Sequence, residues 1–191
     1  MPRTPHPKFT KNLALIGGRG CGKSSVSKRL ARRSRDFMLF SLDALIRYET
    51  EARTIPEIVD AQGWPAFRDL EFRVVEKVAR FPHSALIDCG GGVVVDLDAS
   101  GNEVFSERKV EALRRNSLVV YLRRDPQYLA GRIAGDPDRP SLSDAESFLE
   151  IMARRDPWYE RAAHHVIDCG DESKTVLADR VFSWFAKRAG V

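Results

Sequence analysis

The chain has 191 residues and a mass of 21.5 kDa, which suits one α/β domain with a proper core and leaves little room for two. Its 31 basic and 27 acidic side chains leave a net charge of +4. The arginines are interleaved with acids, which argues against nucleic acid as a partner. A small anionic substrate explains the excess of basic residues as well. No apolar run reaches the roughly 18 residues of a membrane span, so we expect no membrane partner.

The cysteines and the first residues bear on the compartment. Cys21, Cys89 and Cys169 are odd in number and far apart, which fits neither a disulfide framework nor a zinc site. Residues 1–11 contain three prolines and lack the apolar stretch of a secretory signal. We therefore expect a cytoplasmic protein with a mobile leader, 1–11, before a single domain, 12–191.

Short apolar runs alternate with segments of helical spacing along the chain. The predicted strands are 13–16, 37–40, 85–87, 118–122 and 165–168. Helices are predicted at 23–33, from 43 onward, at 54–63, 64–80 and 106–115, after 125–126, and at 173–188. Such alternation is typical of βαβ units, so we predict an α/β fold with a central five-stranded parallel sheet flanked by helices.

Local signals refine this outline. Two Ser/Thr-x-x-Glu patterns, 54–57 and 143–146, predict capping boxes at helix starts. Residues 93–105 look like a small hairpin, and 135–143 form a polar loop with two prolines. Arg155 is placed at a predicted helix junction because Asp156 and Pro157 follow it.

A glycine-rich segment joins the first predicted strand to the first predicted helix. Residues 17–24 fit the pattern G-x-x-x-x-G-K-[ST], which predicts a phosphate-binding loop rather than an ordinary glycine-rich turn. Glycines let backbone N–H groups converge on phosphate oxygens, and the helix that follows directs its positive end at the anion. Lys23 can reach the β- and γ-phosphates, and the Ser24 hydroxyl can ligate Mg²⁺. The residues predicted to bind the nucleotide from this segment are Gly18, Gly20, Cys21, Gly22, Lys23, Ser24 and Ser25.

A phosphate-binding loop does not name the phosphoryl acceptor. The small size and the lack of a guanine-reading motif favour a kinase for a small acceptor. Asp43 follows the second strand, at the carboxyl edge of the sheet where α/β sites form. It can act as the base toward the acceptor hydroxyl, or simply cap the helix that begins there.

Other candidates are basic residues and glycines. Arg68 and Arg155 are ordinary surface arginines if taken singly, but as a pair they can hold a carboxylate. Arg139 lies in the polar loop, where a cation can close over the triphosphate or remain solvated. The triplet Gly90, Gly91 and Gly92 permits close approach to a ligand, or is a flexible turn.

In their order along the chain these motifs resemble the shikimate kinase family, from about Leu13 to the final helix. The matching segments are the loop 17–24, Asp43, Gly63 with 67–71, the triplet 90–92, Arg132 with 139–142, and 155–162. The resemblance implies a P-loop kinase fold with a mobile lid at about 134–145. It also implies ATP-dependent phosphorylation of the 3-hydroxyl of shikimate in aromatic amino-acid synthesis.

The resemblance also implies roles for single residues. Asp43 would engage the shikimate hydroxyl, and Arg68 and Arg155 would hold the carboxylate. Gly91 and Gly92 would contact the ring hydroxyls. In the same way, the transferring phosphoryl group would be stabilised by Lys23 and Arg139, and adenine would be flanked by Arg132, unless that arginine is merely exposed.

Two departures from the family pattern stand out. The family has Asp-x-Asp after the second strand, with the first Asp supporting Mg²⁺, whereas this chain has Ser41 and Asp43. Asp88 stands where the family has a small or apolar residue, so we predict that Asp88 replaces the missing acid at the metal; a hydrogen bond to the phosphate-binding loop is the alternative. The segment 93–105 is longer than in the family; we favour a harmless surface hairpin over one that alters the acceptor pocket.

Two other functions remain open. One is a kinase for a different hydroxy acid, such as gluconate. The other is a catalytically silent sensing domain, which the loss of the acid at Ser41 supports, and which the presence of Lys23, Ser24, Asp43 and Arg139 opposes. In each case the partners are small molecules and ATP, and we expect a monomer.

Overall fold

The computed structural model describes residues 9–51, 53–133 and 147–190, without the side chains of 132 and 133. The predicted lid, 134–145, lies outside the described residues, and so does most of the predicted leader. Phe9 is buried and stacks on Phe37 at 4.6 Å between ring centroids. The folded part therefore includes Phe9 and does not begin only at residue 12.

Seven strands and seven helices make up the described part of the chain. The strands are β1 (Asn12–Ile16), β2 (Met38–Ser41), β3 (Ala85–Asp88), β4 (Val95–Leu97), β5 (Glu103–Phe105), β6 (Ser117–Arg123) and β7 (His165–Asp168). The helices are α1 (Lys23–Arg33), α2 (Leu42–Glu49), α3 (Ile55–Ala79), α4 (Glu107–Asn116), α5 (Pro126–Ile133), α6 (Phe148–Ala162) and α7 (Lys174–Ala189).

The predicted five-stranded parallel sheet is confirmed, in the order β2-β3-β1-β6-β7. β1 lies at its centre, and every residue of β1 is buried, as a strand covered on both faces requires. Asp88, the last residue of β3, pairs with Leu15 on one side and with Ser41 on the other. The carboxyl ends of β1, β2 and β3 therefore meet at one edge of the sheet.

The predicted hairpin and the predicted helix break are also found. β4 and β5 pair antiparallel with Val95 opposite Phe105. α3 begins at a capping box of Thr54 and Glu57, and its backbone leaves the helical conformation at Gly63, with φ 78° and ψ 165°. A side chain rarely tolerates that conformation, so the glycine permits the break.

One local prediction was wrong, since Arg155 lies inside α6, which continues through Pro157, and not at a helix junction. Of the two alternatives for Asp43, the helix cap is excluded, because the Ser41 hydroxyl accepts the N–H of Ala44 and caps α2. The predicted capping box at 143–146 lies outside the described residues, and α6 begins at a capping box of Ser147 and Glu150.

Within the described residues, no helix combines the length and the apolar character needed to cross a bilayer.

Candidate active site

The phosphate-binding loop leads from β1 into α1. Gly20 and Gly22 have φ of 82° and 102°, the left-handed region that favours glycine, and Gly22 caps α1. Five of the residues predicted to bind the nucleotide line one pocket, namely Gly20, Gly22, Lys23, Ser24 and Ser25. The other residues that line this nucleotide-side pocket are Arg19, Ser41, Asp43, Asp88 and Cys89.

Two residues predicted to bind the nucleotide do not line that pocket. Cys21 is fully buried, and its N–H donates to the carbonyl of Gly18 at 3.3 Å within the loop. Gly18 faces the other way, because a Cβ placed there would lie 2.7 Å from Cε of Met152.

Lys23 is held inside the loop. Its Nζ donates to the carbonyl oxygens of Gly17 at 2.8 Å and Gly18 at 3.1 Å. Burial alone would lower the pKa of Lys23, but Cys21, Tyr159, Asp88 and Asp43 together raise it above its ordinary value. Lys23 is therefore charged at neutral pH, as a lysine that binds phosphate must be.

Asp88 lies beside the start of α1. The Ser24 hydroxyl donates to its carboxylate, and burial raises the pKa of Asp88 above its ordinary value despite that bond and the charge of Lys23. Mg²⁺ accepts hydroxyl and carboxylate oxygens as ligands. A typical site has one or two carboxylates, and waters and phosphate oxygens complete the coordination shell. Among the described residues no group of three or more His, Cys, Asp or Glu could hold a metal.

A second pocket, here called the acceptor pocket, adjoins the first, since Arg19 and Asp43 line both. It brings together the predicted Asp43, Arg68, Gly91, Gly92 and Arg155. The other residues that line it are Arg19, Ile55, Trp64, Phe67, Glu71, Gly90, Phe148 and Met152. The pocket thus has apolar walls and a few charged groups, which is typical of a small-molecule site.

Arg68 is 4% exposed and is held by a buried carboxylate. Its Nη1 donates to Oε2 of Glu71 at 3.0 Å, and Nζ of Lys109 donates to the same oxygen at 2.7 Å. Burial would raise the pKa of Glu71, but the charges of Lys109 and Arg68 lower it below its ordinary value. The carboxylate therefore stays ionised between two cations.

Arg155 is 3% exposed and is held in the same manner. Its Nε donates to Oε2 of Glu103 at 2.9 Å and its Nη2 donates to Oε1, so the contact is bidentate. Nη2 of Arg154 donates to Oε2 of Glu103 at 2.8 Å. Glu103 belongs to β5, so the hairpin contacts Arg155, although none of residues 93–105 lines the acceptor pocket.

The glycine triplet leaves room for two of the charged side chains. A Cβ at Gly90 would lie 2.6 Å from Oδ1 of Asp43, and one at Gly92 would overlap the guanidinium of Arg68. The carbonyl of Gly91 accepts a hydrogen bond from the hydroxyl of Tyr159. The triplet is therefore needed for packing as well as for any contact with a ligand.

The sequence analysis missed several residues of the site. Arg19 is hidden in a variable position of the loop pattern, although its place beside the glycines was a usable signal. Glu71, Lys109, Glu103 and Tyr159 were not assigned a role. Of the residues that were predicted, Arg139 lies outside the described part of the chain, and for Arg132 only its place in α5 is described.

Comparisons with known proteins agree with this geometry. A sequence model of the shikimate kinase family matches residues 19–186. The shikimate kinase of Leptospira biflexa is 40% identical over 173 residues, 91% of this chain and 94% of that protein. Shikimate kinase 2 of Yersinia enterocolitica is 32% identical over 175 residues, covering 88% of this chain and 92% of that protein.

Solved structures share the fold. The shikimate kinase from Acinetobacter baumannii in complex with shikimate has a TM-score of 0.81 at 24% identity, covering 96% of this chain and 97% of that one. A gluconokinase from Sinorhizobium meliloti has a TM-score of 0.59 at 18% identity, covering 96% of this chain and 95% of that one. At these identities the likeness concerns the fold alone.

Removing the charge of Glu71 should destabilise the protein in a pH-dependent way. Glu71→Gln leaves Arg68 and Lys109 buried without their counter-charge, so we expect the free energy of unfolding at neutral pH to fall by about 3 kcal/mol. Because the pKa of Glu71 lies below 4.5 in the folded state, its stabilisation is present above pH 4.5 and is lost as pH falls through the folded pKa.

Urea unfolding at neutral and acidic pH measures this difference, which should shrink in acid. Glu76→Gln is the matched control, since Glu76 pairs with Arg80 on the exposed face of the same helix and should change stability by less than about 0.5 kcal/mol. A Glu71→Gln protein as stable as the wild type at neutral pH would contradict the account.

Proposed function

The chain belongs to the shikimate kinase family, and from this we propose that it transfers the terminal phosphoryl group of ATP to the 3-hydroxyl of shikimate, giving ADP and shikimate 3-phosphate. One observation carries the proposal. The pocket with two buried arginines and Asp43 opens beside the pocket of the phosphate-binding loop, and Asp43 lines both. A carboxylic acid held by the arginines would therefore present a hydroxyl near the phosphate.

On the nucleotide side, this chain supplies positive charge and backbone donors. Lys23 would stabilise the charge of the transferring phosphoryl group, and the positive end of α1 faces the same pocket. Arg139 and Arg132 keep the roles that the family resemblance implies, at the phosphoryl group and at adenine. ATP is the phosphoryl donor of this family.

On the acceptor side, Asp43 would accept the proton of the attacking hydroxyl. The new O–P bond forms to the terminal phosphorus as the bond to ADP breaks, and the proton is transferred to the Asp43 carboxylate. Arg68 and Arg155 would hold the acid in place, which supplies the orientation on which phosphoryl transfer depends. Gly91 and Gly92 line the same pocket and would face the ring hydroxyls.

We propose that Ser24 and Asp88 hold Mg²⁺. The ion, when bound, neutralises phosphate charge. Ser41, where the family has its supporting acid, pairs directly with Asp88 across β2 and β3. The acid lost at one position and the acid gained at the other are therefore neighbours, which supports the predicted exchange.

A kinase for another hydroxy acid is the second candidate. The buried arginines favour an acidic acceptor over a neutral one, and the fold likeness to a gluconokinase does not discriminate between acids. A silent sensing domain is disfavoured, because Lys23, Ser24 and Asp43 line one connected site.

We further propose that the protein acts as a monomer in the cytosol. Its three cysteines are buried free thiols, which suits a reducing compartment. The exposed large hydrophobic side chains of the described residues belong to five different helices and strands. They are Met38, Leu39, Tyr48, Val104, Tyr128 and Val176.

A coupled ADP-release assay tests the proposed function. We expect ATP with shikimate to release ADP far faster than ATP alone or ATP with gluconate. Asp43→Asn should lower kcat by about a hundredfold or more, because the base is lost, and should leave the affinity for ATP nearly unchanged. Equal rates with and without shikimate would refute the proposal, and a fully active Asp43→Asn enzyme would remove Asp43 from the mechanism.

Moving the acid from residue 88 on β3 to residue 41 on β2 tests the proposed magnesium site. Asp88→Asn should raise the Mg²⁺ concentration for half-maximal activity by about tenfold or more. Adding Ser41→Asp should recover much of that loss, because residue 41 lies across from 88 and aspartate can still cap α2. An unchanged Mg²⁺ requirement in Asp88→Asn would show that Asp88 only hydrogen-bonds Ser24.

A further inference from the structure

We propose that Glu103, on the hairpin of β4 and β5, is a positioning residue that fixes the guanidinium of Arg155 for the carboxylate of the acceptor. This inference rests on the proposed function and deepens it. It assigns to the hairpin, which is longer than the family pattern, the task of building one half of the acid-binding pair.

The contact between the two residues sets the orientation of the guanidinium. Glu103 occupies the edge formed by Nε and Nη2 of Arg155, with both carboxylate oxygens engaged. A bidentate contact fixes the plane of the guanidinium as well as its distance. The Nη1 edge is left for other partners, and Arg155 also hydrogen-bonds the hydroxyl of Tyr159, which in turn donates to the carbonyl of Gly91. Arg155 is thereby tied to the wall of the acceptor pocket.

Each arginine shares its carboxylate with a second cation. Glu103 accepts from both Arg155 and Arg154. Glu71 accepts from both Arg68 and Lys109, and Asp96 lies 3.8 Å from the latter. Neither carboxylate is therefore devoted to one arginine alone.

The hairpin is itself firmly held. The carbonyl of Val95 on β4 accepts a hydrogen bond from Lys109, the buried cation that shares Glu71 with Arg68. Asp96 accepts from the Ser106 hydroxyl at 2.7 Å and from Nε of Arg108 at 2.8 Å. The turn is closed by Asp98, which accepts the N–H of Asn102 at 2.9 Å. Glu103 is therefore presented on a rigid support.

A second ion pair provides a control that distinguishes the positioning of Arg155 from a simple attachment of α6 to the rest of the protein. Glu107, at the start of α4, also pairs with an arginine of α6, Arg161, but the two side chains are 70% and 59% exposed. Neither residue lines the acceptor pocket. Loss of this exposed pair removes one contact of α6 without changing the acceptor pocket, whereas loss of Glu103 leaves Arg155 buried without its carboxylate.

Steady-state kinetics of Glu103→Gln tests the inference, with shikimate varied at saturating ATP. We expect KM for shikimate to rise about tenfold or more, because the buried arginine loses its counter-charge and its fixed plane. KM for ATP should stay within about twofold, because Glu103 does not line the nucleotide-side pocket, and kcat should fall only as far as the bound acid is misoriented. Glu107→Gln should leave all three constants unchanged.

A double-mutant cycle with Arg155→Lys shows whether Glu103 acts through Arg155. In that background, Glu103→Gln should change KM for shikimate by less than about twofold, because a lysine offers no bidentate edge to orient. Glu103→Asp, which keeps the charge, serves if Glu103→Gln fails to fold, and should give a smaller rise in KM for shikimate.

The outcomes separate this inference from the proposed function. A wild-type enzyme without shikimate-dependent ADP release would refute the function. With an active wild type, an unchanged KM for shikimate in Glu103→Gln would overturn the positioning role alone. A rise in KM for shikimate matched by an equal rise in KM for ATP would also overturn it, as would a full effect in the Arg155→Lys background.

Discussion

Arg68 and Arg155 are almost wholly removed from water, and a buried guanidinium is costly unless a counter-charge meets it. A counter-charge that simply neutralised them would leave the pocket with no attraction for an acid. The structure meets both demands by placing each carboxylate between two cations, Glu71 between Arg68 and Lys109, and Glu103 between Arg155 and Arg154. The fixed geometry of both guanidinium groups follows from this arrangement, and each carboxylate is shared with a second cation.

The parallel sheet brings that pocket to the phosphate-binding loop. β1 continues into the loop, β2 leads to Asp43, and β3 ends at Asp88 and the glycine triplet. β3 lies between β1 and β2 in the sheet. The groups that would bind phosphate, metal and the acceptor hydroxyl therefore lie together at the carboxyl ends of these three neighbouring strands. On the other side of the acceptor pocket lie two charged clusters, each with one carboxylate between two cations. Their residues come from α3, α4, α6 and the hairpin.

Local patterns predicted most of this fold. The apolar runs gave strand positions within one or two residues, and Gly63 marked the break in α3 because few other residues adopt its backbone conformation. The positions of the phosphate-binding loop, Asp43 and Asp88 at one edge of the sheet were predictable because each lies at or just after the end of a strand. Glu103 was not, since it lies 52 positions from Arg155 and nothing in either neighbourhood signals the pairing. The cap of α2 was missed because both Ser41 and Asp43 are good capping residues, and only the backbone decides between them.

In the proposed function, the two buried arginines make this pocket select a carboxylate, and calorimetric titration of the wild-type protein examines this without any variant. Shikimate and its methyl ester have the same ring and hydroxyls and differ in that single charge. We expect one binding site for shikimate and an affinity for the ester lower by about a hundredfold or more, because a charge-assisted contact is lost and buried cations are left unpaired. Equal affinity for the acid and the ester would show that the arginines do not hold the carboxylate.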